Sequence, residues 1–349
     1  MDLAPERLFL EPKNLPGGTS CQTIAQNPQA FIDAHPGLSP NAFACLPNNV
    51  AWANVMSELG YALAPSAFHP ARTTGFGGFA LSFEASFAHI NANAVDGTGT
   101  QYWHAGTQGP VDPSTHQFSV VNKNPDSFLQ IYALDVRKGL PFGLEIAGVV
   151  GFLANTSLWV GGADLDWALL EGYRTGVLGY LPDVAIGAGV RTLVGSSKFF
   201  LTTVGMDAQI SKPFALADSA VVTPYVGGQR LIIFADSAVA DLTPDVDPLR
   251  QCGYQGRDPQ SGVPVCSNKL ITGPNATIND NGDFNNNVTF QRARVHRWRA
   301  IAGLIYRYEI LSLGGQFAMD LEDPSSENAN LGISGARQWT MSLEAGVLF

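Results

Sequence analysis

Isolated charges recur in this chain inside stretches that are otherwise apolar or small, and these are its main candidates for chemistry. They are Glu84, Asp135, Arg137, Glu145, Asp164, Asp166, Arg191, Asp207, Arg297, Arg299, Arg307, Glu309, Asp320 and Glu344. A charge taken out of water must be paired, because isolation in low dielectric costs several kcal/mol. Two readings follow. The groups either form an ion-pair network that fills an interior, or they line a solute path or binding site. Arg292, Arg294, Arg297 and Arg299 add a basic strip, whose upper members are expected to reach into a loop.

Other chemical signals are weaker. Six histidines occur (His35, His69, His89, His104, His116 and His296), none in an HExxH pattern and none beside a GxSxG elbow. His104 or His116 with Asp112 would imitate a catalytic site, but ordinary loop histidines account for them as well, and no enzyme is expected. Gly187-Ala188-Gly189-Val190-Arg191-Thr192 lacks the GK[ST] ending of a phosphate loop, so its glycines are read as packing a crowded wall. Asn279-Asp280-Asn281-Gly282-Asp283 is oxygen-rich like a calcium loop. It has no closing Glu and no flanking helices, so a polar turn is expected, with no metal and no cofactor. The net charge of −10 argues against nucleic acid as a partner.

The elements that carry the charges alternate with a period of two. Ten such stretches run roughly over 73–91, 128–138, 141–154, 157–174, 183–195, 198–212, 219–235, 288–309, 310–322 and 336–349. In the first, Phe79, Leu81, Phe83, Ala85 and Phe87 share one face and Ser82, Glu84 and Ser86 the other. The fourth sets Trp159, Leu165, Trp167 and Leu169 against Asp164 and Asp166, and the ninth sets Leu311, Leu313, Phe317 and Met319 against Ser312, Gln316 and Asp320. Period two means a β-strand with one greasy and one wet face. Ahead of them, Trp52, Val55, Met56, Leu59 and Leu63 recur at helical spacing behind Asn48, which predicts a helix over about 48–63.

Only 14% of the 349 residues are charged, against roughly 25% in soluble domains, while 45% are hydrophobic. No apolar run reaches the roughly 18 residues of a membrane helix. The closed barrel is the other structure that satisfies every backbone group in lipid. Met1 is followed at once by acidic and Pro-rich sequence, so the chain reads as a mature form with an added start Met.

The last stretch, Trp339, Met341, Leu343, Ala345 and Val347 ending in Phe349, resembles the C-terminal strand of bacterial outer-membrane β-barrels, where a terminal Phe is typical. Phe349 is then the assembly signal. The resemblance implies an antiparallel up-and-down transmembrane barrel of about ten strands (twelve as the alternative) over residues 73–349, in the outer membrane of a Gram-negative bacterium. Residues 1–72 would be a partly helical periplasmic or plug segment. The long links at about 92–127, 236–287 and 323–335 alternate with short ones, as outer loops alternate with periplasmic turns, with two short outer links near Asn155 and Ser196 as exceptions. An even strand count puts both chain ends on the periplasmic side. Cys21 and Cys45 would then lie below the membrane and Cys252 and Cys266 above it, leaving Cys21–Cys45 and Cys252–Cys266 as the disulfides. The expected partners are outer-membrane lipid, the barrel assembly machinery, and a protein at the external loops or the N-terminal segment. The function is read as a narrow channel or transporter for a small solute, or alternatively as a closed barrel that displays its loops or anchors a partner. A segment ahead of a barrel is also similar to the plugged transporters of the long-chain fatty-acid type, which have more strands and a plug motif absent here.

Overall fold

In the computed structural model, residues 45–67, 69–95, 127–172, 180–217, 219–242 and 287–349 are described continuously. Shorter pieces are described at 5–10, 15, 19–21, 24, 34–35, 102–103, 108–111, 118–120, 254–257, 259–260 and 264–266. The alternating stretches form ten strands: β1 Phe79–His89, β2 Phe128–Gly139, β3 Leu144–Leu153, β4 Trp159–Leu170, β5 Asp183–Val194, β6 Phe199–Ser211, β7 Ala220–Ser237, β8 Ala293–Tyr308, β9 Leu311–Asp320 and β10 Trp339–Leu348. Each pairs antiparallel with its neighbours in sequence, and β10 pairs with β1, so the sheet closes. Glu344 stands opposite Glu84 at that seam. Beyond it the Phe349 and Phe79 backbones exchange two hydrogen bonds of 2.8 and 3.1 Å. The barrel has ten strands, and the twelve-strand alternative falls. The first strand begins at Phe79, because Thr73 and Thr74 turn inward to meet Glu171 and Glu145.

The face assignments follow from period two. Phe83, Leu134, Ile146, Val150, Leu165, Leu304, Leu313 and Leu343 point outward and are exposed, which leaves an apolar belt that only lipid can cover. Trp159, Trp298 and Phe128 ring it near one rim, and Trp167, Tyr306 and Tyr308 near the other. No helix among the described residues is long and apolar enough to cross a membrane. The chain is an outer-membrane β-barrel in architecture. One rim carries tight connections, such as 140–143 with Phe142 at φ 65° and the β8–β9 turn with Glu309 at φ 50°. The other carries the links at 90–127, 238–292 and 321–338.

Helix α1, Asn49–Leu63, lies inside the barrel. Asn48 caps it, its Oδ1 accepting from Ala51 N at 3.0 Å. Every residue from Ala51 to Leu63 is buried, so the helix has no wet face; the single apolar stripe read from sequence understated its surroundings. Trp52 stacks on Phe290 at 5.0 Å and meets Phe199 edge-on.

The path of the N-terminal segment corrects the expected topology. Glu6 pairs with Lys198 in the β5–β6 link, Gln291 N donates to Asn49 Oδ1, and Ser334 N donates to Asn54 Oδ1. Asn48 N in turn donates to Leu8 O at 2.9 Å. These contacts put residues 5–10 and 45–50 at the long-loop rim, whereas residues 73–78 sit at the short-turn rim where β1 begins. Cys21 and Cys45 are joined, with Cα atoms 5.3 Å apart, and they share an apolar cluster with Leu8, Trp52, Trp103 and Phe290. The inference that a membrane separates them from the later cysteines is therefore wrong: an even strand count fixes where the barrel strands end, and the chain ahead of β1 doubles back through the lumen. Cys252 lies outside the described residues, and with it the Cys252–Cys266 pairing.

Candidate functional site

The lumen holds the only concentration of buried charge among the described residues, and a strap, described at residues 64–67 and 69–74, runs down its centre. Ala64–Pro65 ends α1, and proline at this point cannot continue a helix ladder. Pro65 O accepts from Arg299 on β8 and from Gln229 on β7. Ser66 Oγ donates to Glu84 on β1 at 2.8 Å, and Ser66 O accepts from Gln316 on β9. Gln209 on β6 donates to Ala67 O at 3.2 Å. His69 Nε2 lies 3.0 Å from Asp166 on β4 and 3.7 Å from Asp207 on β6. Ala71 N donates to Ser211 Oγ, and Arg72 Nε to Asp183 at 2.5 Å. At the short-turn mouth Thr73 N and Thr74 N donate to Glu171 and Glu145.

The walls add their own network. Arg191 on β5 makes two bonds of 2.6 and 2.7 Å to Asp164 on β4. Arg137 on β2 bonds Asp135 at 3.2 Å and Glu344 on β10 at 2.5 Å. Arg297 on β8 grips Asp320 on β9, with both side chains 1% exposed, and also reaches Gln338 and Ser57 O of α1. Arg297 and Arg299 lie over the Tyr61 ring at 4.3 and 5.6 Å. Two guanidiniums thus meet the C-terminal end of α1, where the helix dipole is negative. Fork-shaped pairing of this kind suits Arg and carboxylate geometry.

The glycines of β5 make room for this chemistry. A Cβ at Gly187 would strike Asp166, and one at Gly189 would strike Asp164 and Pro65 of the strap. Between them and the strap lies a water-sized cavity of about 20 Å³, lined by Ser66, His69, Asp135, Arg137, Asp164 and Asp207. Among the described residues no cluster of three His, Cys, Asp or Glu side chains is arranged to hold a metal.

Glu84, Asp135, Arg137, Glu145, Asp164, Asp166, Arg191, Asp207, Arg297, Arg299, Asp320 and Glu344 all face this interior. Glu309 does not: it sits exposed in the β8–β9 turn, one position past the strand whose parity placed it inside. Arg307 lines the open short-turn mouth beside Arg72 and is solvent-exposed. The basic strip also splits. Arg294 points outward, its guanidinium 5.4 Å over Phe234, and Arg292 is exposed, because residues an odd number apart on a strand take opposite faces. His104, His116, Asp112 and residues 279–286 lie outside the described residues.

The sequence reading names His69 without a role and passes over Ser66 and Arg72, since nothing in the strap's pattern signals a position inside a barrel. It also passed over Glu58, which accepts from Trp103 Nε1 at 2.6 Å, from Tyr102 and from Asn91 N. The wall amides Gln209, Gln229, Gln316 and Gln338 carried a usable signal: each falls on the polar face of its strand or just before it.

No family model matches the chain, and no curated protein matches it. Solved structures with similarity include Ail, the attachment invasion locus protein of Yersinia pestis, at 8% identity over 78% of this chain and 99% of Ail, with a TM-score of 0.24. OprG of Pseudomonas aeruginosa is 11% identical over 80% of this chain and 99% of its own, with a TM-score of 0.27. The outer membrane protease OmpT of Escherichia coli is 8% identical over 78% and 96%, with a TM-score of 0.30. At these scores the likenesses add nothing to a fold that rests on its own strand pairing.

Proposed function

We propose that this outer-membrane barrel is closed at rest and serves as an anchored binding and display module, with residues 1–72 acting as its plug. The observation that carries the reading is the strap. Between Pro65 and Thr74 it is bonded to eight of the ten strands or the links beside them, at successive depths. A barrel of about eight strands is just filled by side chains and one of sixteen or more holds an aqueous channel, so ten strands plus a helix leave little space. Its partners would be membrane lipid, the assembly machinery that reads Phe349, and a protein that meets the external loops or the N-terminal segment. The module is read as non-catalytic. The one His–carboxylate cluster among the described residues, His69 with Asp166 and Asp207, is buried and is used to hold the strap.

Transport of a small solute is the second reading, and the cavity beside His69 favours it as the remnant of a path. It requires the plug to move. Planar-bilayer recording separates the two. The intact chain is expected to give no steady conductance, and a large ungated conductance would overturn the closed state. Removing residues 1–63 should open a channel if α1 is the seal; a truncated barrel that stays closed would assign the seal to the strap and the wall network and favour display.

A further inference from the structure

The direction of the N-terminal segment carries an activity beyond display of loops. We infer that the barrel conveys residues 5–48 through its own lumen to the outer face, so that the disulfide-closed segment is exposed on the cell surface. The inference rests on the outer-membrane reading above but not on the closed state.

Three observations support it. The strap enters at the short-turn rim, where Thr74 N meets Glu145, and α1 leaves at the long-loop rim, where Asn49 meets Gln291. In outer-membrane barrels short turns face the periplasm and long loops the outside. The length also fits: fifteen helical residues span about 22 Å, and eleven extended ones reach at most about 36 Å, enough to cross a hydrocarbon core of about 30 Å. Third, the segment is built into the outer rim and does not hang from it. Leu8, Cys21, Cys45, Trp52, Trp103 and Phe290 share one buried cluster.

The geometry also orders the events. A helix with its side chains is about 10–12 Å wide, and α1 together with a disulfide-closed loop cannot slide through a ten-strand lumen whose walls carry the Arg297–Asp320 and Arg191–Asp164 pairs. The segment therefore passes as extended chain, or is enclosed as β1 meets β10, before α1 folds and Cys21 joins Cys45. Once both have formed it is locked outside. Helix α1 and the strap are the portions left in the passage.

The test uses the full chain in intact cells, with an epitope tag ahead of Asp2 and, in a second version, the same tag between Phe142 and Gly143 in a short turn. Antibody does not cross the outer membrane. The N-terminal tag is expected to be labelled as strongly before permeabilisation as after it, and the Phe142 tag only after. Labelling is scored on the band that shows heat-modifiable mobility, so misfolded chains do not count. An N-terminal tag reached only after permeabilisation would overturn the inference. Surface labelling combined with a large bilayer conductance would retain it and sink the closed state instead.

Discussion

Helix α1 and the strap that follows it occupy one lumen, yet they are held in opposite ways. Around α1, Trp52, Met56 and Leu59 pack among Phe199, Leu201, Ile233, Val295 and Phe290, all buried. Around the strap nearly every described residue is fixed by a named donor or acceptor on a strand. Apolar burial is non-directional and scales with area, so it tolerates a change of shape. A buried polar contact is asymmetric: removing one partner leaves the other stranded at full desolvation cost. The helix end of the plug should therefore lose stability in proportion to volume removed, and the strap end should fail at single atoms.

Arg297, which bonds Ser57 O of α1 and Asp320 of the wall, gives the largest expected effect. Arg297→Ala strands Asp320 in a site of 1% exposure and should cost about 3–5 kcal/mol. The paired change Arg297→Met with Asp320→Leu should recover most of it. Thermal unfolding in detergent, followed by heat-modifiable mobility, measures both. A single-variant loss below about 1 kcal/mol would mean that water reaches the pair, and the contrast would collapse.

Met56→Ala tests the helix side. It removes volume from a filled site and should cost about 2–5 kcal/mol, while Leu59→Met, which conserves volume, should cost under about 1.5 kcal/mol. Equal losses from the two would show that the helix region is as position-specific as the strap. Gly60→Ala is smaller still in atoms added, but its Cβ would strike Ile233, a stiff β-branched neighbour. Overpacking of this kind should cost about 1–3 kcal/mol, read by the same unfolding curve. A neutral result would mean that α1 can shift in the lumen.

The smallest effect belongs to a pair outside the barrel. Arg337 and Asp323 lie 3.1 Å apart in an outer link, both more than half exposed. Arg337→Ala should cost less than about 1 kcal/mol, and that little should vanish in high salt. A larger loss would extend the network of the lumen into the outer loops.

Much of the fold was legible along the chain. Side chains on a strand alternate by geometry, so the facing of Phe83 against Glu84, or Leu165 against Asp164, can be read without knowing any partner strand. The limits of that logic are equally local. Parity placed Glu309 inside because it cannot see that the strand has already turned, and it merged Arg294 with Arg297 although three positions along a strand reverse the face. Trp52, Val55, Met56, Leu59 and Leu63 predicted the helix, but their stripe said nothing of Ala53, Ser57 and Gly60, which are buried as well.

The sequence by itself determined the ten strands, the faces within their regular parts and the helix behind Asn48, because each depends on backbone periods of two and 3.6 residues. Only the tertiary structure decided which guanidinium meets which carboxylate, that His69 sits between Asp166 and Asp207, and that Cys21 and Cys45 lie on the long-loop side. Those facts depend on closure of β1 against β10 around a segment some twenty residues earlier in the chain, and a relation across a lumen leaves no period in the residues that make it.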